Sequence, residues 1–362
     1  MNNEELRLNR LANHQIFNKQ DSEFSVLKNS VGIQSQAQRM AEINLAIKSK
    51  QLDLSTLSKD YDQQKIVRSW SQRWTLHLLT VEDWNLIINA HSQEHLPNNY
   101  YLGEKELVLK AEKELTPYLD QQRTLSKPEL VKFLSSMMTE QQLGTNLIYA
   151  ILQTLTANGH GFFNPNSTTQ QFQLVSAQNI YQPMSIESAV QQLIVEYLNG
   201  YAPASLEDFV KWTGIKVGIV RPIWKQVTSG MEHVEINGVI NYAPHFLTKL
   251  ELQDIDNDAH DNVQIAARFD ALMTGYIQKE WLIPTEYQSI MWSKNGILMA
   301  PVLVDGVVIG HWTYKVSGKK VNFEVITWKK ISKAKQKLIQ DKLSEVALFL
   351  EKVPNNIQFQ QL

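Results

Sequence analysis

Two glutamines one residue apart carry the first hint of chemistry in this chain: Gln34 and Gln36 flank Ser35 in "GIQSQAQRM", with Arg39 close behind. A glutamine amide is neutral and does not titrate; it offers one acceptor oxygen and two donor hydrogens. Two amides act on one target only if they share a face. On a helix, residues two apart point about 200° away from each other, whereas on extended chain they lie on one side. The pair must therefore sit on an extended segment. Composition alone argues that it is incidental, since Gln121-Gln122, Gln141-Gln142, Gln170-Gln171 and Gln191-Gln192 are doublets too.

Other polar groups compete for attention. In "RWTLHL", Arg73, Thr75 and His77 alternate with Trp74, Leu76 and Leu78, which predicts a strand whose polar face lines a cleft or simply meets water. In "FDALMTGY" the apolar residues Phe269, Leu272, Met273 and Tyr276 have core spacing, and Asp270 suits a helix cap better than a cleft. His91 and His95 are four apart, but the HExxH order is absent and Pro97 ends the segment. Asp254 to Asp258 open like a calcium loop, yet Ala259 takes the glycine position and Ile265 that of the bidentate acid. No phosphate-binding GxxxxGK or GxSxG nucleophile motif occurs, and cysteine is absent. No metal and no cofactor is expected.

The elements that must hold these residues follow from periodicity. Residues 185–243 read as three helices and a hairpin around Asn237-Gly238, which supplies the positive φ angles of a tight turn. Ser205 with Asp208 resembles a capping box, and Gly214 stops the second helix. Residues 124–176 repeat that order, with Ser126 as cap, Pro128 in the first turn and Asn158-Gly159 as a stop. Residues 4–79 fit it loosely. From Gly296 the period changes to that of strands, a three-strand meander with turns at Asp305-Gly306 and Ser317-Gly318, and a lysine-rich amphipathic helix closes the chain.

The expected architecture is mostly α with small β elements (α+β): tandem winged helix-turn-helix modules around a concave cleft, plus a small C-terminal antiparallel sheet. The boundaries are 1–115, 116–180, 181–248 and 249–362. With 43% hydrophobic and 20% charged residues, no apolar run near a bilayer span and no secretion signal, a cytoplasmic protein is expected, without a membrane or an obligate protein partner, and monomeric. The net charge of −2 hides a block from Lys315 to Lys342 with nine lysines against Glu324 and Asp341, a local +7. Such a block is either a nucleic-acid footprint or a solvated helix face.

The stretches "VGIQSQ", "VRSWSQRWTLHL" with "TVEDW", "FDALMTGY" and "VLVDGVVIGHW", in this order, resemble the AlkZ-type DNA glycosylase family of winged-helix proteins over most of the chain. Gln34-Ser35-Gln36 fits the family's Gln-x-Gln pattern. Its Arg-Gly-Thr-Leu-His motif matches at Arg73, Thr75, Leu76 and His77, with Trp74 in place of the glycine. The resemblance implies a monofunctional glycosylase acting on double-stranded DNA, cutting the N-glycosidic bond of cationic N7-alkylated purines, including bulky adducts and interstrand crosslinks. It implies Gln34 and Gln36 as catalytic residues, Arg39, Arg73, Thr75, His77 and Asp270 along the cleft, and Lys315, Lys319, Lys320, Lys329 and Lys330 on the DNA. The alternative is a non-catalytic winged-helix DNA-binding protein, a transcriptional regulator or a structural one.

Overall fold

The computed structural model describes residues 1–166, 171–248, 251, 263–292 and 296–362; the Asp254–Asp258 stretch lies outside them. After α1 (Asn3–Asn13), one order of elements occurs three times: a helix, a short extended step, further helices and two strands. The first repeat is α2 (Glu23–Ser30), β1 (Ile33–Gln34), α3 (Gln38–Lys48), α4 (Leu54–Asp62), β2 (Ile66–Trp70) and β3 (Leu76–Thr80). After α5 (Val81–Ala90) comes the second: α6 (Lys105–Gln122), β4 (Thr124–Ser126), α7 (Lys127–Leu134), α8 (Glu140–Leu143), α9 (Leu147–Ala157), β5 (Gly161–Pro165) and β6 (Phe172–Ser176). The third is α10 (Ile186–Tyr201), a step at Ala204, α11 (Leu206–Thr213), α12 (Val217–Thr228), β7 (Glu232–Ile236) and β8 (Val239–Ala243). Each short step pairs antiparallel with the last strand of its repeat: Gln34 with His77, Thr124 with Val175, Ala204 with Tyr242.

Local chemistry explains the third repeat. The Ser205 hydroxyl caps α11 at the Asp208 amide while Asp208 returns to the Ser205 amide. Gly214 ends that helix at φ +84°, and the hairpin turns on Asn237 and Gly238 at φ +52° and +78°. The sequence expectation for residues 185–243 therefore matches element by element. Elsewhere the chain departs from it. α6 runs through residues 115 and 116, where a boundary is expected, and one six-stranded sheet, β1-β3-β2-β5-β6-β4, spans the first two repeats.

The C-terminal part adds short helices α13 (Ala271–Thr274) and α14 (Gln288–Met291), the helix α15 (Lys333–Phe349), and a five-stranded sheet. Its strands are β9 (Val263–Ile265), β10 (Ala300–Val304), β11 (Val307–Ser317), β12 (Lys320–Thr327) and β13 (Val353–Gln361). The expected antiparallel sheet needs correction: β13 follows α15 and runs parallel to β12, so the sheet is mixed and a strand, not the lysine-rich helix, closes the chain. A parallel neighbour needs a crossover, and α15 provides it. Trp312, Phe323 and Val325 of this sheet share a core with Val26 and Leu27 of α2 and Ile43 of α3, which fixes the β11–β12 hairpin beside the first repeat.

Two buried polar arrangements tie the parts together. Lys48, at the end of α3, pairs with Asp270 at 2.9 Å, both fully or nearly fully buried. His14, just after α1, donates from Nε2 to the Tyr276 hydroxyl (2.8 Å), which itself donates to the Tyr201 carbonyl (2.8 Å). Burial pushes His14 down to about 3, with Lys48 adding to the shift and Asp270 opposing it. Burial likewise lowers His77 to about 3 and His91 to about 4. All three stay neutral in the folded protein while the unfolded chain's histidines titrate near 6.5. The stability this represents is complete above pH 6.5 and is lost as pH falls toward 4. The unfolding free energy measured in urea is expected to be lower at pH 5 than at pH 7.5, by up to about 1.4 kcal/mol per pH unit for each histidine; equal values would contradict the buried neutral state.

Candidate active site

The Gln pair sits where α2 gives way to β1. Val31 and Gly32 take φ +47° and +90°, a sharp reversal that the backbone of glycine tolerates. A Cβ on Gly32 would stand 2.2 Å from Leu79 Cδ2 and 3.1 Å from the Leu78 carbonyl, so a side chain here would force Leu79 to shift and strain the positive φ. The strand beyond it, β1, is two residues long, and the chain bends at Gln36. Gln34 lies opposite His77, and the Ser35 amide donates to the Leu76 carbonyl at 2.6 Å. The Ser35 side chain is completely buried. Arg68 of β2 grips it from inside, Nη2 to the Ser35 carbonyl (2.8 Å) and Nε to its hydroxyl (3.3 Å). With Ser35 facing in, the alternation turns Gln34 to the other side, and Gln36 lies in the bend that follows. Gln34 is half-buried and Gln36 is exposed.

The neighbouring turn supplies the groups around Gln34. Residues Gln72–Trp74 form a tight turn, with Arg73 and Trp74 both left-handed (φ +54° and +58°). This corrects the alternating strand read from "RWTLHL": the strand begins only at Leu76, and Arg73 and Thr75 do not line a continuous polar face. Trp74, in the place of the family's glycine, keeps the positive φ that a glycine would adopt freely, and its ring rests on the core of the second repeat. Arg73 turns back to donate from Nη2 to the Gln34 amide oxygen at 3.3 Å. It is held by the end of α11, where a Cβ on Gly214 would come within 3.2 Å of Arg73 Cγ. The Thr75 hydroxyl donates to the Gln72 carbonyl (2.9 Å) and so closes the turn.

His77 shares a sheet face with Gln34, since directly opposed residues of an antiparallel pair point the same way. Its Nδ1 donates to the Thr75 carbonyl at 3.0 Å, which leaves Nε2 as the acceptor of a neutral ring. Burial is the main cause of its low pKa, opposed by that carbonyl and reinforced by Arg73 and His91. Gln34 thus meets one guanidinium and shares a sheet face with one neutral imidazole, and the exposed Gln36 follows two residues on. Among the described residues no group of three or more His, Cys, Asp or Glu side chains could hold a metal ion.

The remaining expected residues divide. Arg39 ion-pairs with the fully buried Glu42 at 2.7 Å, and an edge of it lines an open groove of about 670 Å³ with Leu54, Ser55, Ser58, Tyr314 and Val316. Glu42 also accepts from Gln38 (2.9 Å) and the Tyr61 hydroxyl (3.2 Å), so α3 is braced directly behind the glutamines. Asp270 lines no cleft: it is wholly buried, caps α13 through the Leu272 amide (2.8 Å) and pairs with Lys48. Lys315, Lys319 and Lys320 are exposed at the tip of the β11–β12 hairpin, which turns on Gly318 and Lys319. Lys329 and Lys330 are exposed at the opposite end of β12, roughly 30 Å away at strand rise. The lysines therefore form two separate patches.

Arg68 and Glu42 are the residues the sequence reading passes over. The signal was present: one arginine in the otherwise apolar "IVRSW" and one acid in "AEINLAI" each demand a buried partner.

Comparison with known proteins places this geometry. The family model for DNA glycosylase AlkZ-like proteins matches residues 27–349. An interstrand DNA cross-link repair glycosylase from Streptomyces sahachiroi is 23% identical over 316 residues, 81% of this chain and 82% of its own length. The solved structure of the Streptomyces sahachiroi DNA glycosylase AlkZ superposes at a TM-score of 0.78 over 99% of both chains with 18% identity, and so shares the fold. No described helix is long and apolar enough to cross a membrane. A match that begins in α2, takes in the glutamines and Arg73 and runs to the end of α15 leaves one assignment: the chain belongs to the AlkZ-like DNA glycosylase family.

Proposed function

We propose that this protein hydrolyses the N-glycosidic bond of cationic N7-alkylated purines in duplex DNA, with Gln34 and Gln36 as its catalytic residues. The observation that supports the reading is the Gln34-Ser35-Gln36 step, with its serine locked inward, Gln34 half-buried beside Arg73 and Gln36 exposed in the bend that follows. An unmodified purine is a poor leaving group and needs a proton from an acid. An N7-alkylguanine already carries the positive charge and departs as a neutral base. What is left to the protein is to hold a water beneath a sugar that gains oxocarbenium character and to stabilise that charge.

Uncharged amides suit this task. The Gln34 oxygen is taken by Arg73, so its NH₂ faces the site as a donor that orients water and sugar. Gln36, exposed one step further on, holds the attacking water through its carbonyl oxygen. Neutral groups also spare undamaged guanine, whose excision they cannot assist. The reaction leaves the strand uncut, as in a monofunctional glycosylase.

The three repeats act as winged helix-turn-helix modules that cradle the duplex, with their strand pairs as wings. The β11–β12 hairpin extends the same surface, and Lys315, Lys319 and Lys320 at its tip meet the phosphate backbone or the minor groove. The name of the Streptomyces sahachiroi relative concerns interstrand cross-links. A crosslinked base cannot leave the stack, and an exposed Gln36 fits a reaction carried out on the duplex surface.

Two outcomes check this reading. Gln36→Ala is expected to slow release of 7-methylguanine from duplex DNA on the order of 10²-fold in single-turnover assays; release at the parental rate removes Gln36 from the chemistry. Parental protein that binds the duplex yet releases no base points instead to the non-catalytic DNA-binding alternative. Replacing Lys319 and Lys320 together by Ala is expected to weaken binding to every sequence and to lower the slope of log affinity against log salt by about 2. An unchanged slope takes the hairpin tip off the DNA.

A further inference from the structure

A third glutamine follows the pair in "QSQAQ". Gln38 opens α3 two residues beyond Gln36 and, unlike it, is buried, with 5% of its surface exposed. Its amide nitrogen donates to acceptors from two different repeats. One bond goes to the Glu42 carboxylate at 2.9 Å, the other to the main-chain carbonyl of Asn166 at 3.2 Å. Glu42 is a firm anchor, since it also holds Arg39 at 2.7 Å and the Tyr61 hydroxyl at 3.2 Å. Asn166 is exposed and comes directly after β5, the first strand of the second repeat's wing. That strand already meets the site at one point, where Phe163 pairs with Arg68, the residue that grips Ser35. Gln38 ties it a second time, three residues further along.

A carboxylate and a carbonyl both accept and cannot donate, so one side chain satisfies the two together only if it brings two hydrogens. The Gln38 NH₂ does so, and its amide has no workable flipped orientation. A methionine of similar length would make neither bond. We propose that Gln38 is a positioning residue for the reaction: it fixes the bend that carries Gln36 against the wing of the second repeat. The inference rests on the reading of Gln36 as the holder of the attacking water. Gln36 is exposed in its bend, so its placement depends on the backbone on either side. Ser35 before it is held by Arg68, and Gln38 after it by Glu42 and Asn166. Because that wing is one of the elements that cradle the duplex in this reading, the tie sets Gln36 relative to the bound strand and not to its own repeat alone.

The test uses the full chain, with urea unfolding to confirm that each variant is folded. Gln38→Met is expected to slow single-turnover release of 7-methylguanine at saturating protein roughly 10-fold. The protein concentration giving half the maximal rate, and the affinity for undamaged duplex, should stay at parental values. A loss of packing alone would lower stability or binding and leave the saturated rate unchanged. Asn166→Gly, at an exposed position, lets the same carbonyl swing away and is expected to slow release several-fold with the same signature, so the tie is tested even if the Met variant fails to fold. In a Gln36→Ala background neither substitution should slow release further, because Gln38 acts through Gln36. Parental rates in Gln38→Met or Asn166→Gly, or losses that multiply with that of Gln36→Ala, overturn the tie while the catalytic reading stands. A parental rate in Gln36→Ala itself removes the catalytic reading, and the tie with it.

Discussion

Everything at the candidate site hangs on the inward grip on Ser35. One arginine, Arg68, holds its carbonyl and hydroxyl, and the Leu76 carbonyl takes its amide. Three hydrogen bonds on a residue without accessible surface leave the short step no rotational freedom. Glutamine side chains are flexible, and a pair of them gains catalytic value only when the backbone beneath is immobile. A small residue between the glutamines is a steric requirement, because that side chain points into the sheet.

The repeats matter because they bring distant segments to this step. Gly214 ends a helix of the third repeat and lets the Arg73 turn of the first repeat come into contact with it. Trp74 anchors the same turn in the core of the second. The turn that orients Gln34 is therefore built from all three. The C-terminal sheet shares a core with α2 and α3, and its Tyr314 lines a groove with Arg39 of α3.

How much of this was legible depended on whether the signal was local. The third repeat could be read through because its capping box, its Gly214 stop and its Asn-Gly turn each act within a few residues. The extended geometry expected of the Gln pair holds for Gln34, on β1, while Gln36 lies in the bend after it. The Arg73–Trp74 turn was hidden: its polar and apolar residues alternate as a strand's would, and a tryptophan at positive φ is held there by packing that no local pattern encodes. β13 was hidden too, because "VPNNIQFQQ" has the composition of a tail and becomes a strand only by pairing with β12. Asp270 is a cap, as its position suggests, and its partner Lys48 lies over two hundred residues away in sequence.

The central claim is that a base already carrying positive charge needs no acid from the protein, so neutral amides suffice. With saturating protein and a duplex bearing one 7-methylguanine, single-turnover release should be nearly independent of pH from 6 to 8.5. Gln34 and Gln36 do not titrate, and His77 stays neutral throughout that range. A bell-shaped profile, or a rate that rises steadily on acidification, would show that a proton donor takes part and would contradict the account.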